Sequence, residues 1–149
     1  MTVKRLLAQK GHEVWSIGME SSVFTALKQM ETKNVGALVV VDDQDQLIGI
    51  FSERDAVRKG ILAGKKSRET LVRDLMTAPV IAINPDNSLD ECMVIMSEKH
   101  IRHLPVQKDG KLVGVVTIRD VVKNIIKNQR NTINELETYI RGGGYGLFG

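Results

Sequence analysis

The chain has 149 residues, 42% apolar and 26% charged, with a net charge of +3; that suits one domain or two small halves sharing a core. The charge is too small and too dispersed to point to nucleic acid, and a single cysteine, Cys92, excludes an internal disulfide. No apolar run is long enough to cross a bilayer, and the N-terminus has no signal-peptide core, so a cytoplasmic protein is expected.

In chain order, the elements come twice. Sliding the sequence by 66 positions sets VWSIGMESSV (14–23) on VIAINPDNSL (80–89), which predicts a short strand and a helix start in each half. Ser22 and Ser88 are the expected N-caps. Val23, Ala26, Leu27 and Met30 then fall on Leu89, Cys92, Met93 and Met96, one face of a helix in each half. Val35–Val40 aligns with Ile101–Val106 as a strand. DDQDQ and KDGK are hairpin turns, the first one residue longer, so Leu47-Ile48-Gly49 meets Leu112-Val113-Gly114 at an offset of 65. Second helices begin near Glu53 and Ile118. Each half thus reads strand, helix, strand, turn, strand, helix: a mixed α/β fold in which two marginal units share one core around an approximate two-fold axis.

The expected boundaries are residues 1–63 for the first repeat with a lead-in, 64–76 for a linker, 77–128 for the second repeat and 129–149 for a tail. A short helical turn is expected at Thr70–Leu75, and Lys65-Lys66-Ser67-Arg68 reads as a solvated loop. INELETYI (133–140) has helical spacing, with Ile133, Leu136 and Ile140 on one side. GGGYGLFG should end that helix, leaving Tyr145, Leu147 and Phe148 to dock or to stay free.

The most informative repeat is a corner. GIFSERDAV (49–57) and GVVTIRDVV (114–122) share a glycine, two apolar residues, a hydroxyl residue and Arg-Asp. Ser52 with Asp55, and Thr117 with Asp120, fit a capping box, which explains those four residues but not Arg54, Arg119 or the matching glycines. The same geometry suits a ribonucleotide. Free N–H groups at a helix start favour phosphate, a hydroxyl can donate to it, arginine can bridge its oxygens, and a carboxylate one turn in can accept from two ribose hydroxyls.

With these motifs the sequence resembles a tandem pair of CBS (cystathionine β-synthase-type) domains over about residues 10–128. The resemblance rests on the doubled corner, METKNVGALVV (30–40), MSEKHIRHLPV (96–106) and RDLMT (73–77). It implies two β-α-β-β-α units in a cleft-bearing pseudo-dimer. It also implies adenosine ligands, with AMP first and NAD, ATP, ADP and S-adenosylmethionine as rivals. One implied site takes Thr117, Arg119 and Asp120 with Lys10, Trp15, Val35 and Gly36; the other takes Ser52, Arg54 and Asp55 with Ile81, Arg102 and His103. Trp15 is either an adenine-stacking wall or a core or surface residue unrelated to ligand; Ile81 can only pack. Arg102 and His103 suggest phosphate contacts, though His103 is equally a satisfied structural histidine, and His12 and His100 read as surface residues.

An enzyme is not expected. Cys92 sits on an apolar helix face, three histidines form no ligand cluster, and no phosphate-binding glycine loop precedes a helix. No metal is called for. A nucleotide-responsive regulatory module, homodimeric and either acting on a separate protein partner or buffering or reporting nucleotide level, is expected; a structural dimerisation module with vestigial sites is the alternative, and nucleic acid a weaker one.

Overall fold

A computed structural model of the chain describes residues 1–143; Tyr145, Leu147 and Phe148 lie outside them. Helix α1 (Val3–Lys10) leads into β1 (Ser16–Gly18), α2 (Val23–Lys33), β2 (Ala37–Val41), β3 (Leu47–Ser52) and a one-turn helix α3 (Glu53–Asp55) that loosens into π and 3-10 turns as far as Ala63. The linker carries α4 (Val72–Leu75), followed by α5 (Leu89–Lys99), β4 (His103–Lys108), β5 (Lys111–Thr117) and α6 (Ile118–Thr138). The expected second helices start where the sequence puts them, after Ser52 and Thr117. The expected tail helix is not separate: it is the end of the 21-residue α6, which passes into a π turn at Tyr139–Gly143.

β1 runs parallel to β2, and β2 antiparallel to β3; β4 and β5 form the second hairpin. The fourth expected strand, near residues 80–84, is reduced to a single bridge, Ile83 to Val106. Pro105 supplies the reason. Val39 N–H donates to the Trp15 carbonyl in the first half, and the residue aligned with Val39 is Pro105, which has no N–H to give. The hairpin turns differ as expected: Asp109 and Gly110 both take positive φ in the shorter one, while the Asp42 carboxylate accepts from Gln44 and Gln46 N–H in the longer.

The one shared core expected from the sequence is instead two, one in each half, because each is closed by its own short helix. The first gathers Ile17, Val23, Ala26, Met30, Leu38, Val40 and Phe51 around Val72 and Leu75 of the linker. The second gathers Leu89, Cys92, Met96, Leu104, Val106 and Val116 around Val3, Leu6 and Leu7 of α1. Each half is therefore completed by the short helix that precedes the other half: α4, ahead of the second half, fills the first, and the lead-in α1, ahead of the first half, crosses to fill the second. The two helices occupy equivalent places. Thr2 bridges Ser88 as Leu71 bridges Ser22, and Val3 N–H donates to the Asn87 carbonyl as Val72 N–H donates to that of Ser21.

That crossing accounts for the matching glycines. A Cβ on Gly114 would lie 2.7 Å from a Leu7 methyl, and one on Gly49 would lie 2.9 Å from both Met76 Sδ and the Thr77 carbonyl oxygen. Glycine stands at both places because α1 lies against the strand at Gly114 and the segment that leaves α4 lies against the strand at Gly49. The linker is docked rather than loose. Ser67 and Thr70 carbonyls accept from the first free N–H groups of α2, and the Arg68 guanidinium stacks 3.8 Å above Phe24.

Candidate functional site

At both corners the strand ends in a hydroxyl residue and the helix turns in directly, so the acid three residues on folds back. Both capping boxes are complete. Ser52 Oγ accepts from Asp55 N–H, and Asp55 Oδ2 accepts from Ser52 N–H, each at 3.1 Å. Thr117 Oγ1 accepts from Asp120 N–H at 3.2 Å, and Asp120 Oδ2 from Thr117 N–H at 2.9 Å.

The corners differ in what else reaches the acid. Asp55 is buried, 8% exposed. Its Oδ1 accepts from the Thr77 hydroxyl at 3.0 Å and pairs with Lys59 Nζ at 3.2 Å. Asp120 is bound through Oδ2 to Lys10 Nζ at 2.6 Å, and that ammonium also donates to the Val115 carbonyl at 2.7 Å. The cation thus comes from the acid's own helix in one corner and from α1 in the other. The asymmetry has a structural cause: α4 stops at Leu75 and the chain then pairs Thr77 with Ile50, whereas α1 continues to Lys10.

A cleft of about 820 Å³ opens beside Asp55, between the halves. Ser52, Arg54, Asp55, Ile81, Arg102 and His103, the six residues grouped in one expected site, all line it. The first half contributes Gly36 and Ile50 to its lining, and the second contributes Pro79, Val80 and Ile101. Arg54, Arg58, Lys59, Lys99 and Arg102 stand around it against Glu53 and Asp55, so its field favours an anion. His103 is half-buried. Burial pushes its imidazole below the ordinary range, helped by Arg102 and Lys10 and opposed by Asp120.

The other expected grouping is brought together only in part. Lys10, Thr117 and Asp120 meet. Gly36 lines the Asp55 cleft instead, where its carbonyl accepts from Glu53 N–H at 3.0 Å. Trp15 packs on the first core with Lys33 Nζ 4.3 Å from its ring centre, and Val35 packs there too, its N–H bound to the Met30 carbonyl. Arg119 is exposed. His12 is a surface residue whose Nδ1–H donates to the Val113 carbonyl at 2.9 Å. His100 is exposed as well, yet it lines the cleft, because it closes α5 in the left-handed conformation at φ 55°.

The CBS-domain family model matches residues 9–61 and 72–127. The chain belongs to the CBS-domain family. It is 41% identical over 128 residues to the mitochondrial CBS domain-containing protein CBSX3 of Arabidopsis thaliana, covering 83% of this chain and 62% of that protein, so it spans under two thirds of its plant relative. Among solved structures it is similar to a crystal structure of a CBS domain at 44% identity and TM-score 0.80, covering 85% of this chain and 98% of the other. It is also similar to a candidate signal-transduction protein with CBS domains from Burkholderia ambifaria, at 42% identity and TM-score 0.83, covering 87% and 96%.

A CBS pair of this kind is consistent with a regulatory or signal-transducing module. Among the described residues no cluster of His, Cys, Asp and Glu could hold a metal ion, and no helix is long and apolar enough to cross a membrane. Cys92 is fully buried, which pushes its thiol up to about 11. Sequence inspection missed Arg58, Lys59, Thr77, Pro79, Val80 and Lys99 of the CBS cleft. Lys59 was recoverable, one helical turn after Asp55 on the same face. Thr77 was not, because its contact with Asp55 depends on where the linker crosses β3.

Proposed function

We propose that the cleft beside Asp55 takes an adenosine-containing nucleotide, AMP first and NAD, ATP, ADP or S-adenosylmethionine as rivals, and that binding biases the arrangement of the two halves or of two copies. The observation that carries this is one buried carboxylate in a cation-rimmed hollow of about 820 Å³, within the size range of small-molecule sites. Asp55 divides its work between its two oxygens. Oδ2 keeps the helix cap, while the partners of Oδ1 are a hydroxyl and a half-exposed ammonium. Ribose hydroxyls would replace those two partners, and the released Lys59 would turn to phosphate alongside Arg54, Arg58 and Arg102. The base would lie against Ile81, Val80 and Pro79, where backbone groups and apolar side chains are at hand.

The Asp120 corner supports a different reading of its own. Lys10 joins the capping oxygen Oδ2 of Asp120 and the Val115 carbonyl, so this corner serves as a structural lock that ties α1 to the second half. The module has one nucleotide cleft and one lock, works in the cytoplasm where adenine nucleotides are abundant, and acts on a separate protein.

Calorimetry with each of the five nucleotides tests it. Micromolar to low-millimolar binding is expected, roughly −4 to −8 kcal/mol, to the wild type and to Asp120→Ala, with Asp55→Ala losing it. Absence of heat and of thermal shift with all five leaves the scaffold alternative; turnover of a nucleotide by the pure protein would revive an enzyme.

A further inference from the structure

α6 runs past the body it belongs to. It is anchored at Val121, with Ile125 packed on the second core, but every residue from Ile126 to Arg141 is exposed. A polar arm could stand free in water; this one carries an apolar stripe. Val122, Ile126, Ile133, Leu136 and Ile140 are 46, 43, 54, 58 and 51% exposed. With Gln129 they fall alternately four and three residues apart, the repeat that a helix uses to pair with another helix. Isoleucine holds every a position from residue 126 on; Val122, Gln129 and Leu136 hold the d positions.

Charge along the arm is segregated. Lys123, Lys127 and Arg130 lie near its start, whereas Glu135 and Glu137 lie near its end, with Arg141 beyond the paired stripe. Two parallel copies in register would set like against like. Antiparallel copies would set the basic start of one against the acidic end of the other. The same offset that pairs Val122 with the partner's Ile140, Ile126 with the partner's Leu136, and Gln129 with the partner's Ile133 also brings Lys123 beside the partner's Glu137. It sets Arg130 near its own copy at the axis, a local repulsion.

We propose that the exposed stripe from Val122 in α6 to Ile140 in the π turn that continues it (Tyr139–Gly143) is a dimerisation helix, pairing antiparallel with the same helix of a second copy. The paired length is about 27 Å at 1.5 Å per residue. This rests on the homodimer part of the function proposed above and not on its nucleotide part. The two fail separately, since one is read by mass and the other by calorimetry.

Sedimentation equilibrium of the full chain tests it. The wild type should be a dimer, and Leu136→Asp should weaken it at least a hundredfold; the side chain is exposed in the isolated chain, so the fold should survive. Lys123→Glu and Glu137→Lys should each weaken the dimer several-fold, the double swap should restore it, and Arg130→Gln should tighten it. Cysteine pairing fixes direction: Ile126→Cys with Leu136→Cys should oxidise to a covalent dimer, and Leu136→Cys alone should not. A monomeric wild type, a dimer indifferent to Leu136→Asp, or ready cross-linking through Leu136→Cys alone would overturn the proposal; indifference would leave the Met93, Val94 and Val57 faces as the contact.

Discussion

Asp55 and Asp120 sit in matching capping boxes, but Asp55 lines the cleft between the halves and Asp120 is held by Lys10. Replacing either by alanine removes a cap and should cost about 0.5–2 kcal/mol of stability, which chemical denaturation would measure. Only Asp55→Ala should also lose ligand, by roughly 1.5–3 kcal/mol for a charge-assisted contact. His103 gives a second residue-scale test. Its folded pKa lies below the ordinary 6.5, so the unfolded chain takes up its proton first as pH falls. Its contribution is fully present above about pH 6.5 and is lost as pH drops from there through the folded value. Denaturation of the wild type and of His103→Gln between about pH 7.5 and 5 should therefore show the variant gaining relative to the wild type on the acid side; parallel curves would count against the burial effect. The glycines at the corners belong to packing, not to ligand. Gly49→Ala should cost about 1–3 kcal/mol, and Gly114→Ala should be partly relieved by Leu7→Val, because the clash at Gly114 is with a side chain and that at Gly49 includes backbone.

Among the elements, the crossing of α1 is the main departure from a simple repeat. Leu7 is 1% exposed in the second core, although it precedes the first half in sequence. Leu7→Ala should cost about 2–5 kcal/mol, and hydrogen exchange should show the lost protection in β4, β5 and α5 rather than in β1 to β3. The repeat, the caps at Ser22 and Ser88, the hairpins and the starts of α3 and α6 were legible because each depends on residues close together in the chain. The crossing of α1 was not, since periodicity says which face of a helix is apolar but not which core it enters. Nor did the sequence alignment show that Pro105 would dissolve the strand near residue 83; the missing N–H matters only once the parallel pairing is known. Gly36 was grouped with Asp120 for the same reason: its half of the fold is clear from sequence, but the cleft it faces depends on how the halves pack.

For the whole molecule, the pseudo-two-fold frame makes two equivalent corners, and the unequal lengths of α1 and α4 make them chemically different. One acid is tied to Lys10, so α1 is fastened to the half it completes; the other faces a hollow that joins the two halves. A ligand held there contacts both halves at once, which is what regulation through their arrangement requires. The most direct measurement is calorimetric titration of AMP and of 2′-deoxy-AMP into the wild type and Asp55→Ala. The wild type should bind AMP about tenfold or more tighter than its deoxy analogue, and Asp55→Ala should bind both equally weakly. Equal affinity of the wild type for the two, or undiminished AMP binding by Asp55→Ala, would contradict a carboxylate gripping ribose in this cleft.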